Sequence, residues 1–327
     1  MTNEATILNY SKALADATRL RLARILLDHE LSVGELVAVL GLSQPRISRH
    51  LKIMAEAGLL ASRRDGQWVF YSAAESGEGR EYLDAVGQFL RRDPALAADA
   101  EAAARVLAER RRRSRHFFER HAEDWDRLRD STLGGFDVAA EILACMPETR
   151  VAVDLGCGTG GLLKVLRNRA SQVIGVDNSQ EMLARARQVL LGNEEGSAGR
   201  FADAGLTGDA RVSLRIGDLE HLPLADAEAG FAVMCLALHH LPSPERGIRE
   251  AHRVLGSGSR FVLVDFEQHT DETLREGAGD HWLGFAPERI EGWLSSAGFA
   301  IVDNARFPLP SGLTLRLYEA EKQITEE

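Results

Sequence analysis

The 327-residue chain contains little cysteine and has no long apolar run. Its three cysteines are Cys145, Cys157 and Cys235, a small and odd number that does not suit a disulfide framework. Such sparse cysteine predicts a protein of the reducing cytoplasm. No apolar run approaches the roughly 18 residues that a membrane-spanning helix needs. The N-terminal residues lack the uninterrupted apolar stretch of a secretion signal. A membrane protein is therefore not expected.

The composition is that of a globular protein with charge divided unevenly along the chain. Hydrophobic residues make up 45% and charged residues 27%, and the length predicts two domains or one large one. The net charge is −10, yet residues 1–72 hold nine basic against seven acidic side chains, whereas residues 151–327 hold 17 against 26. Because an acidic body repels nucleic acid, any contact with nucleic acid belongs to the N-terminal part.

Residues 33–40 carry an apolar face and are followed by a glycine. Leu36, Val39 and Leu40 are spaced i, i+3 and i+4, which is the helical period. Gly41 supplies a C-terminal stop. The pattern predicts a short helix and a tight turn.

The segment after this turn predicts a second helix whose start can read DNA. Ser43 is a good N-cap, and Ile47, Leu51 and Met54 fall on one inward face. Two short helices joined by a tight turn form the helix-turn-helix layout. Arginine and glutamine side chains at such a helix start can bond base edges in the major groove.

Asp65-Gly66 separates two strand-like runs, residues 59–64 and 67–72. Such a dipeptide predicts a hairpin with a two-residue turn. Arginines lie just before the predicted tip, where they could contact phosphate or the minor groove.

The stretch LADATRLRLARILL…LSVGELVAVLGLSQPRISRHLKIMAEAGLLASRRDGQWVFYS resembles the winged helix of the ArsR-type repressor family over roughly residues 7–74. The resemblance implies a homodimer that binds a palindromic operator in double-stranded DNA. The DNA-contacting residues that it implies are Ser43, Gln44, Arg46, Ser48, Arg49 and His50 in the second helix and Arg63 and Arg64 in the hairpin.

One departure from that family concerns metal. Metal-sensing members carry two cysteines before the turn, as E-L-C-V-C-D-L, whereas residues 30–36 here read ELSVGEL. Without these thiolates no thiophilic metal site is expected there. A harder site elsewhere, built from histidines and carboxylates, stays open.

A second set of patterns begins at residues 151–155, which predict a buried strand. A glycine-rich turn follows at residues 156–161, and then a predicted helix over Leu162–Arg169. The next predicted strand ends in Asp177, 21 positions beyond the first glycine of the turn. Strand, glycine turn, helix and a later acid are typical of a nucleotide-type cofactor site, and the spacing alone leaves nicotinamide cofactors possible.

Five segments in order resemble class I methyltransferases over about residues 115–320: VAVDLGCGTGGLL, VIGVDNSQEML, RIGDLEHLPLAD, FAVMCLALHHL and REAHRVLGSGSRFVLVDF. The general resemblance is to small-molecule enzymes of the ubiquinone/menaquinone-biosynthesis kind. It implies S-adenosyl-L-methionine (SAM) as cofactor and a small-molecule methyl acceptor. The cofactor contacts that it implies are Asp154, Gly156, Gly158, Gly160, Asp177, Asp218, Leu219 and Cys235.

His239 and His240 are the candidate catalytic residues, because an imidazole near the cofactor's methyl group could act as a general base. Two departures from that family lie outside the predicted cofactor contacts: Ala232 replaces an acid that such enzymes often carry, and residues 256–259 replace the usual proline-glycine-glycine turn. Arsenite methylation is not expected, because it would need several thiolates around one metalloid atom. Cys157 lies inside the glycine-rich turn and Cys145 lies before the first predicted strand of this region.

The sequence thus predicts a multidomain protein. Residues 1–74 are expected to form an α+β winged helix-turn-helix, residues 75–130 a helical linker for dimerisation and covering of the cofactor, and residues 131–327 an α/β Rossmann-like methyltransferase domain with a seven-stranded sheet. The main hypothesis is a DNA-binding regulator joined to an active methyltransferase. Two alternatives stay open: the second domain only senses SAM or S-adenosylhomocysteine, or the winged helix only dimerises an enzyme.

Overall fold

The computed structural model describes residues 4–191 and 211–323. The chain forms two compact units, residues 1–111 and 112–327, and the boundary lies inside the region predicted to be helical. Among the described residues, no helix is both long and apolar enough to cross a membrane.

The first unit is a helical domain with a small antiparallel sheet. Its three strands are ordered β1-β3-β2. This arrangement confirms the predicted α+β winged helix-turn-helix. The elements are α1 (Glu4–Leu14), α2 (Ala17–Leu26), β1 (Leu31–Ser32), α3 (Val33–Leu40), α4 (Gln44–Glu56), β2 (Leu60–Asp65), β3 (Trp68–Ala73), α5 (Gly77–Arg92) and α6 (Pro94–His121), which continues past residue 111.

The local sequence explains where α3 and α4 begin and end. Ser32 and Glu35 form a reciprocal capping box at the start of α3, and Gly41 ends this helix in the left-handed conformation at φ +65. The inward positions of α4, Ile47 and Leu51 among them, are fully buried, as the helical spacing predicts. These contacts leave the N-terminal face of α4 exposed.

The hairpin turn lies one residue later than the sequence indicates. Asp65 pairs with Trp68 at the end of the ladder, so the turn is Gly66-Gln67 and not Asp65-Gly66. Gly66 takes φ +55 at the first turn position, which glycine adopts without strain. Asp65 is fully buried and bound to Arg63, which keeps it in the strand.

The second unit is a twisted sheet between layers of helices. Its seven strands are ordered β6-β5-β4-β7-β8-β10-β9, and β10 is antiparallel to both of its neighbours. The elements are α7 (Trp125–Leu133), α8 (Val138–Cys145), β4 (Thr149–Leu155), α9 (Leu163–Leu166), β5 (Ala170–Asp177), α10 (Gln180–Leu191), β6 (Val212–Ile216), β7 (Ala229–Cys235), a 3₁₀ turn (Leu238–His240), α11 (Pro244–Val254), β8 (Leu255–Phe266), α12 (Thr273–Gly277), α13 (Pro287–Ala297), β9 (Phe299–Pro308) and β10 (Thr314–Lys322).

The strand order places a crevice at the carboxyl edge of the sheet. From β4 the chain moves outward to β5 and β6, and then returns to place β7 on the other side of β4. In open α/β sheets ligands bind at such a reversal of strand order. The loop after β4, the end of β5 and the loops after β6 and β7 meet there. The predicted seven-stranded Rossmann-like sheet is therefore confirmed, although the predicted helix over Leu162–Arg169 shortens to α9 and hydrogen-bonded turns.

Candidate functional site

Three positions of the loop after β4 favour glycine, because their backbone lies in the left-handed region. Gly156, Gly158 and Gly160 have φ values of +83, +50 and +80. A Cβ on Gly156 would also lie 2.7 Å from the Cβ of Ala237, closer than side chains approach. At these glycines no side chain covers the backbone of the loop, so a ligand in the crevice can approach the backbone closely.

Replacement of Gly156 by alanine is expected to destabilise the second unit by about 2–5 kcal/mol, from backbone strain and overpacking together. Thermal unfolding followed by tryptophan fluorescence measures this effect, because three of the four tryptophans lie within residues 112–327. We expect a lower melting temperature by roughly 5–15 °C. Gly135→Ala is the matched control, since Gly135 has φ +84 but nothing within 4 Å of an added Cβ. Equal losses for both variants would show that Ala237 causes no clash.

Asp177, at the end of β5, connects the glycine loop to the start of α10. Its Oδ2 accepts the N–H of Gly158 and its Oδ1 accepts the N–H of Ser179, both at 2.9 Å. Burial raises the pKa of this carboxyl, while the backbone N–H groups oppose the rise. Each carboxylate oxygen has two lone pairs, so Asp177 retains capacity for further donors from the crevice.

Asp154 lies in β4 directly before the loop and is almost completely buried. Burial and the charge of Asp177 raise the pKa of Asp154 to about 7, and the cation of Arg129 acts against this rise. The structure therefore places the carboxyls of Asp154 and Asp177 at the same glycine loop, close enough for the charge of Asp177 to raise the pKa of Asp154.

The other predicted cofactor residues lie at the same edge of the sheet. Asp218 follows β6, is half-buried, and accepts the N–H of Glu220 at 2.9 Å. Leu219 is buried with its Cδ1 near Gly156. Cys235 ends β7, and burial raises the pKa of its thiol, so it stays protonated. The eight predicted residues thus belong to four neighbouring strand ends.

Helix α7 borders the glycine loop. Thr159 donates a hydrogen bond to Asp126 at 2.6 Å. The indole Nε1 of Trp125 lies 3.6 Å from the place that a Cβ on Gly158 would take. Trp125 also contacts the ring of Phe118 edge-on, with ring centroids 5.1 Å apart. Trp125 is therefore a packing residue that stands at the mouth of the loop.

A cavity of about 310 Å³ lies beside the crevice, and its walls are mostly apolar. Leu236, at its edge, takes φ +53, which is strained for leucine. None of the eight predicted cofactor residues lines this cavity. The residues that line it are Trp125, Leu128, Arg129, Ser131, Thr132, Leu236, His239, Phe266, Thr273, Leu274, Gly277, Ala278 and Asp280.

The two candidate histidines differ in their surroundings. Nδ1 of His239 donates to Asp265 at 2.7 Å, and its Nε2 lies 3.5 Å from Asp280. Burial lowers the pKa of His239, but Asp265 and Asp280 outweigh burial and raise it to about 9. Burial and the neighbouring His239 hold the pKa of His240 well below its usual range. The cavity is lined by His239 and not by His240.

The predicted DNA-contacting residues of α4 are exposed to different degrees. Ser43, Gln44, Arg46 and Arg49 are exposed, whereas Ser48 and His50 are half-buried. Arg46 donates to the hydroxyl of Thr18 at 3.3 Å, and Nδ1 of His50 lies 3.7 Å from Asp16. These six residues are called the α4 face below.

The two arginines of the hairpin point to different environments. Arg63 is bound to Glu30 at 3.2 Å and to the buried Asp65 at 2.6 Å, and its guanidinium lies over the ring of Phe70. Arg64 is exposed and donates to the carbonyl of Gly66 at 3.2 Å. Only Arg64 is therefore placed on the outside of the hairpin.

Sequence reasoning missed the acids around His239. Asp265 interrupts the apolar run of β8, and a charge in a buried strand is a signal that could have identified it. Asp280 follows α12 in a segment without a recognisable motif. Its place near His239 is visible only in the structure.

Two family models match the chain. "Bacterial regulatory protein, arsR family" matches residues 16–62, and "Methyltransferase domain" matches residues 153–263. These matches coincide with the winged helix and with the crevice-bearing part of the sheet.

Relatives match one half of the chain or the other. The arsenic resistance transcriptional regulator ArsR1 of Pseudomonas putida is 54% identical over 18% of this chain and 48% of that protein. The transcriptional activator HlyU of Vibrio cholerae is 42% identical over 23% of this chain and 68% of that protein. The demethylmenaquinone methyltransferase of Desulfitobacterium hafniense is 31% identical over 41% of this chain and 47% of that protein.

The chain spans about half the length of the first curated relatives that it matches in each half. The similarity to HlyU covers more than two thirds of that regulator, and the arsR family model lies within the same winged helix. The chain belongs to the arsR family of bacterial regulatory proteins, and its C-terminal part matches a methyltransferase domain over residues 153–263.

Proposed function

We propose that the second unit binds SAM in the crevice and transfers its methyl group to a small molecule, and that the first unit binds a DNA operator as a homodimer. The observation that carries the enzymatic half is the joint hydrogen bonding of Asp177 to Gly158 and Ser179 beside a bare glycine loop. A nucleoside that presents two hydroxyls to one carboxylate fits this arrangement.

The residues present fit the adenosyl group of SAM. Asp177 has lone pairs left for the two ribose hydroxyls, and Gly156, Gly158 and Gly160 leave room for close approach of the ligand to the backbone. We assign Asp154 to the loop and to the amino-acid end of the cofactor. Asp218 and Leu219 are assigned to the adenine, and Cys235 to the mouth of the crevice.

When bound, SAM supplies a methyl group that is already activated by a sulfonium. The chain's own residues then have to hold an acceptor in line with this methyl group and exclude water. We place the acceptor in the 310 Å³ cavity, whose apolar walls include Leu128 and Phe266 and whose polar groups include Arg129 and His239. This lining favours an apolar molecule with one or two polar atoms.

Between the two candidate catalytic residues, geometry favours His239 for contact with the acceptor. Its ring lines the cavity and is held in one orientation by Asp265. His240 lies behind it, with the two ring centroids 3.9 Å apart. We therefore propose that His240 supports His239.

For DNA binding we retain the α4 face and Arg64, and we leave out Arg63 because its guanidinium is bound to Glu30 and Asp65 inside the domain. Arg49 is exposed on α4, where a guanidinium can bond a guanine edge. Ser43 and Gln44 stand at the start of the same helix.

Arg49→Ala is expected to weaken binding to the operator in the protein's own promoter by roughly 5–150-fold, which corresponds to about 1–3 kcal/mol for one base contact. Footprinting at a fixed salt concentration measures this loss. Arg92→Ala removes an equally exposed arginine at the end of α5 and should change affinity by less than about twofold if only overall charge is affected. If both variants lose affinity for the operator equally, the α4 face does not contact the DNA bases. If wild-type protein protects no site, the regulatory half of the proposal is wrong.

A further inference from the structure

A group of three side chains at the cavity wall has the composition of a metal site. His239, His240 and Asp280 each offer one ligand atom, and these atoms lie within 4.8 Å of one another. All three side chains are buried, and they come from the 3₁₀ turn after β7 and from the loop after α12. The cluster therefore joins two segments that are about 40 positions apart in the sequence.

Several polar atoms of this cluster have no hydrogen-bond partner among the described residues. They are Nε2 of His240 and both carboxylate oxygens of Asp280. Oδ1 of Asp280 lies 3.5 Å from Nε2 of His239, which is an ion-pair distance without hydrogen-bond geometry. Leaving a buried donor or acceptor unsatisfied typically costs about 1–3 kcal/mol, so three such atoms at one place require an explanation. A bound ion would satisfy them together.

Each of the two imidazoles has its Nδ1 beside an oxygen acceptor. Asp265 holds Nδ1 of His239, which directs Nε2 towards Asp280 at 3.5 Å. Nδ1 of His240 contacts the carbonyl of Gly279 at 3.2 Å and lies 4.0 Å from Oδ1 of Asp280. A proton on Nδ1, donated to that carbonyl, leaves Nε2 with its lone pair. A carboxylate or carbonyl partner on the far ring nitrogen is the usual support for a histidine that binds metal.

We infer that His239, His240 and Asp280 form a binding site for a divalent transition-metal cation. Two nitrogens and one carboxylate suit Zn²⁺ or Fe²⁺, and three protein ligands leave a coordination position open. For ligand bonds of about 2.0–2.1 Å, the 3.5 Å between His239 and Asp280 already suits two ligands of one tetrahedral ion. Two ligands of a tetrahedral ion lie about 3.4 Å apart. A pair at the 4.8 Å limit of this cluster therefore has to approach by about 1.4 Å.

The open position would face the methyl acceptor, so with the ion bound His239 would act on the acceptor through the ion and not by direct contact. His239 and Asp280 line the cavity in which we place that molecule. The acceptor class that fits is one with an oxygen able to bind a metal, such as a hydroxyl or carboxylate. This part of the inference rests on the proposed function, whereas binding of the ion itself does not.

The test uses the full chain, first freed of metal with a chelator and then titrated with ZnCl₂ in a calorimeter without SAM. We expect one Zn²⁺ per chain and a weakening of at least 30-fold in Asp280→Asn and in His240→Gln. Co²⁺ added to the metal-free chain should show the visible absorption of a tetrahedral site in wild type and lose it in Asp280→Asn. His116→Gln is the control, because His116 is exposed on α6 and lies outside the cluster.

Three results would overturn the inference. They are the absence of stoichiometric Zn²⁺ binding, equal affinity in wild type and Asp280→Asn, and an equal loss in His116→Gln, which would point to surface histidines. Far-UV circular dichroism identifies a variant that fails to fold. In that case the Co²⁺ spectrum of the wild type alone tests whether the chain has a tetrahedral metal site. Metal binding without turnover of SAM would contradict the proposed function but not the site.

Discussion

Asp177→Ala is expected to weaken binding of S-adenosylhomocysteine at least 100-fold. The variant removes a carboxylate that we assign to two ribose hydroxyls, and hydrogen bonds to charged groups are worth about 1.5–3 kcal/mol each. It also releases the N–H of Gly158, which the carboxylate holds at 2.9 Å, so the loop loses its anchor as well. Isothermal titration calorimetry with S-adenosylhomocysteine measures the change.

Two further variants separate these effects. Asp177→Asn keeps one oxygen as an acceptor but removes the charge, so we expect an intermediate loss. Asp303→Ala removes an exposed acid from β9 at the far edge of the sheet and should leave affinity unchanged. Equal dissociation constants for wild type and Asp177→Ala would refute the ribose assignment.

Arg63→Ala is expected to destabilise the winged helix by about 3–5 kcal/mol, the usual cost of removing one partner of a buried ion pair. Asp65 is fully buried and Glu30 is partly buried, with 15% of its side chain exposed. Burial already raises the pKa of Glu30 against the pull of Arg63. Without this guanidinium both acids lose a counter-charge, and Phe70 loses one of its two cation contacts, the other being Arg110.

Amide hydrogen exchange of the β2 and β3 peptides measures the loss in the full chain, where a single unfolding transition is not expected for two units. We expect roughly 10²–10³-fold faster exchange in Arg63→Ala. Arg64→Ala, at the next and exposed position, should stay within about 0.5 kcal/mol of wild type but weaken operator binding. The reverse pattern, with Arg63→Ala stable and defective only in DNA binding, would mean that Arg63 leaves its internal partners to contact DNA.

Where short-range chemistry decides the structure, the sequence was a reliable guide. Gly41 ends α3 as predicted because only the left-handed conformation closes that turn. The glycine loop and Asp177 lie at adjacent strand ends because parallel strands present their carboxyl ends at one edge. The break between α5 and α6 at Asp93-Pro94 is also a local effect, because proline disfavours the helical conformation in the residue before it.

Where a distant partner decides the structure, the sequence was not sufficient. The hairpin turn shifted by one residue because Asp65 is drawn into the strand by Arg63, and Arg63 is in turn held by Glu30, which is 33 positions away. Asp280 reaches His239 from 41 positions away without any motif. Residue types and spacing do not encode such long-range pairs.

A structure of the chain crystallised with S-adenosylhomocysteine tests the central claim most directly. The account predicts that the ligand lies along the glycine loop from Gly156 to Gly160, with both ribose hydroxyls about 3 Å from the carboxylate of Asp177. A ligand bound elsewhere, or a carboxylate of Asp177 that contacts only Gly158 and Ser179, would contradict it.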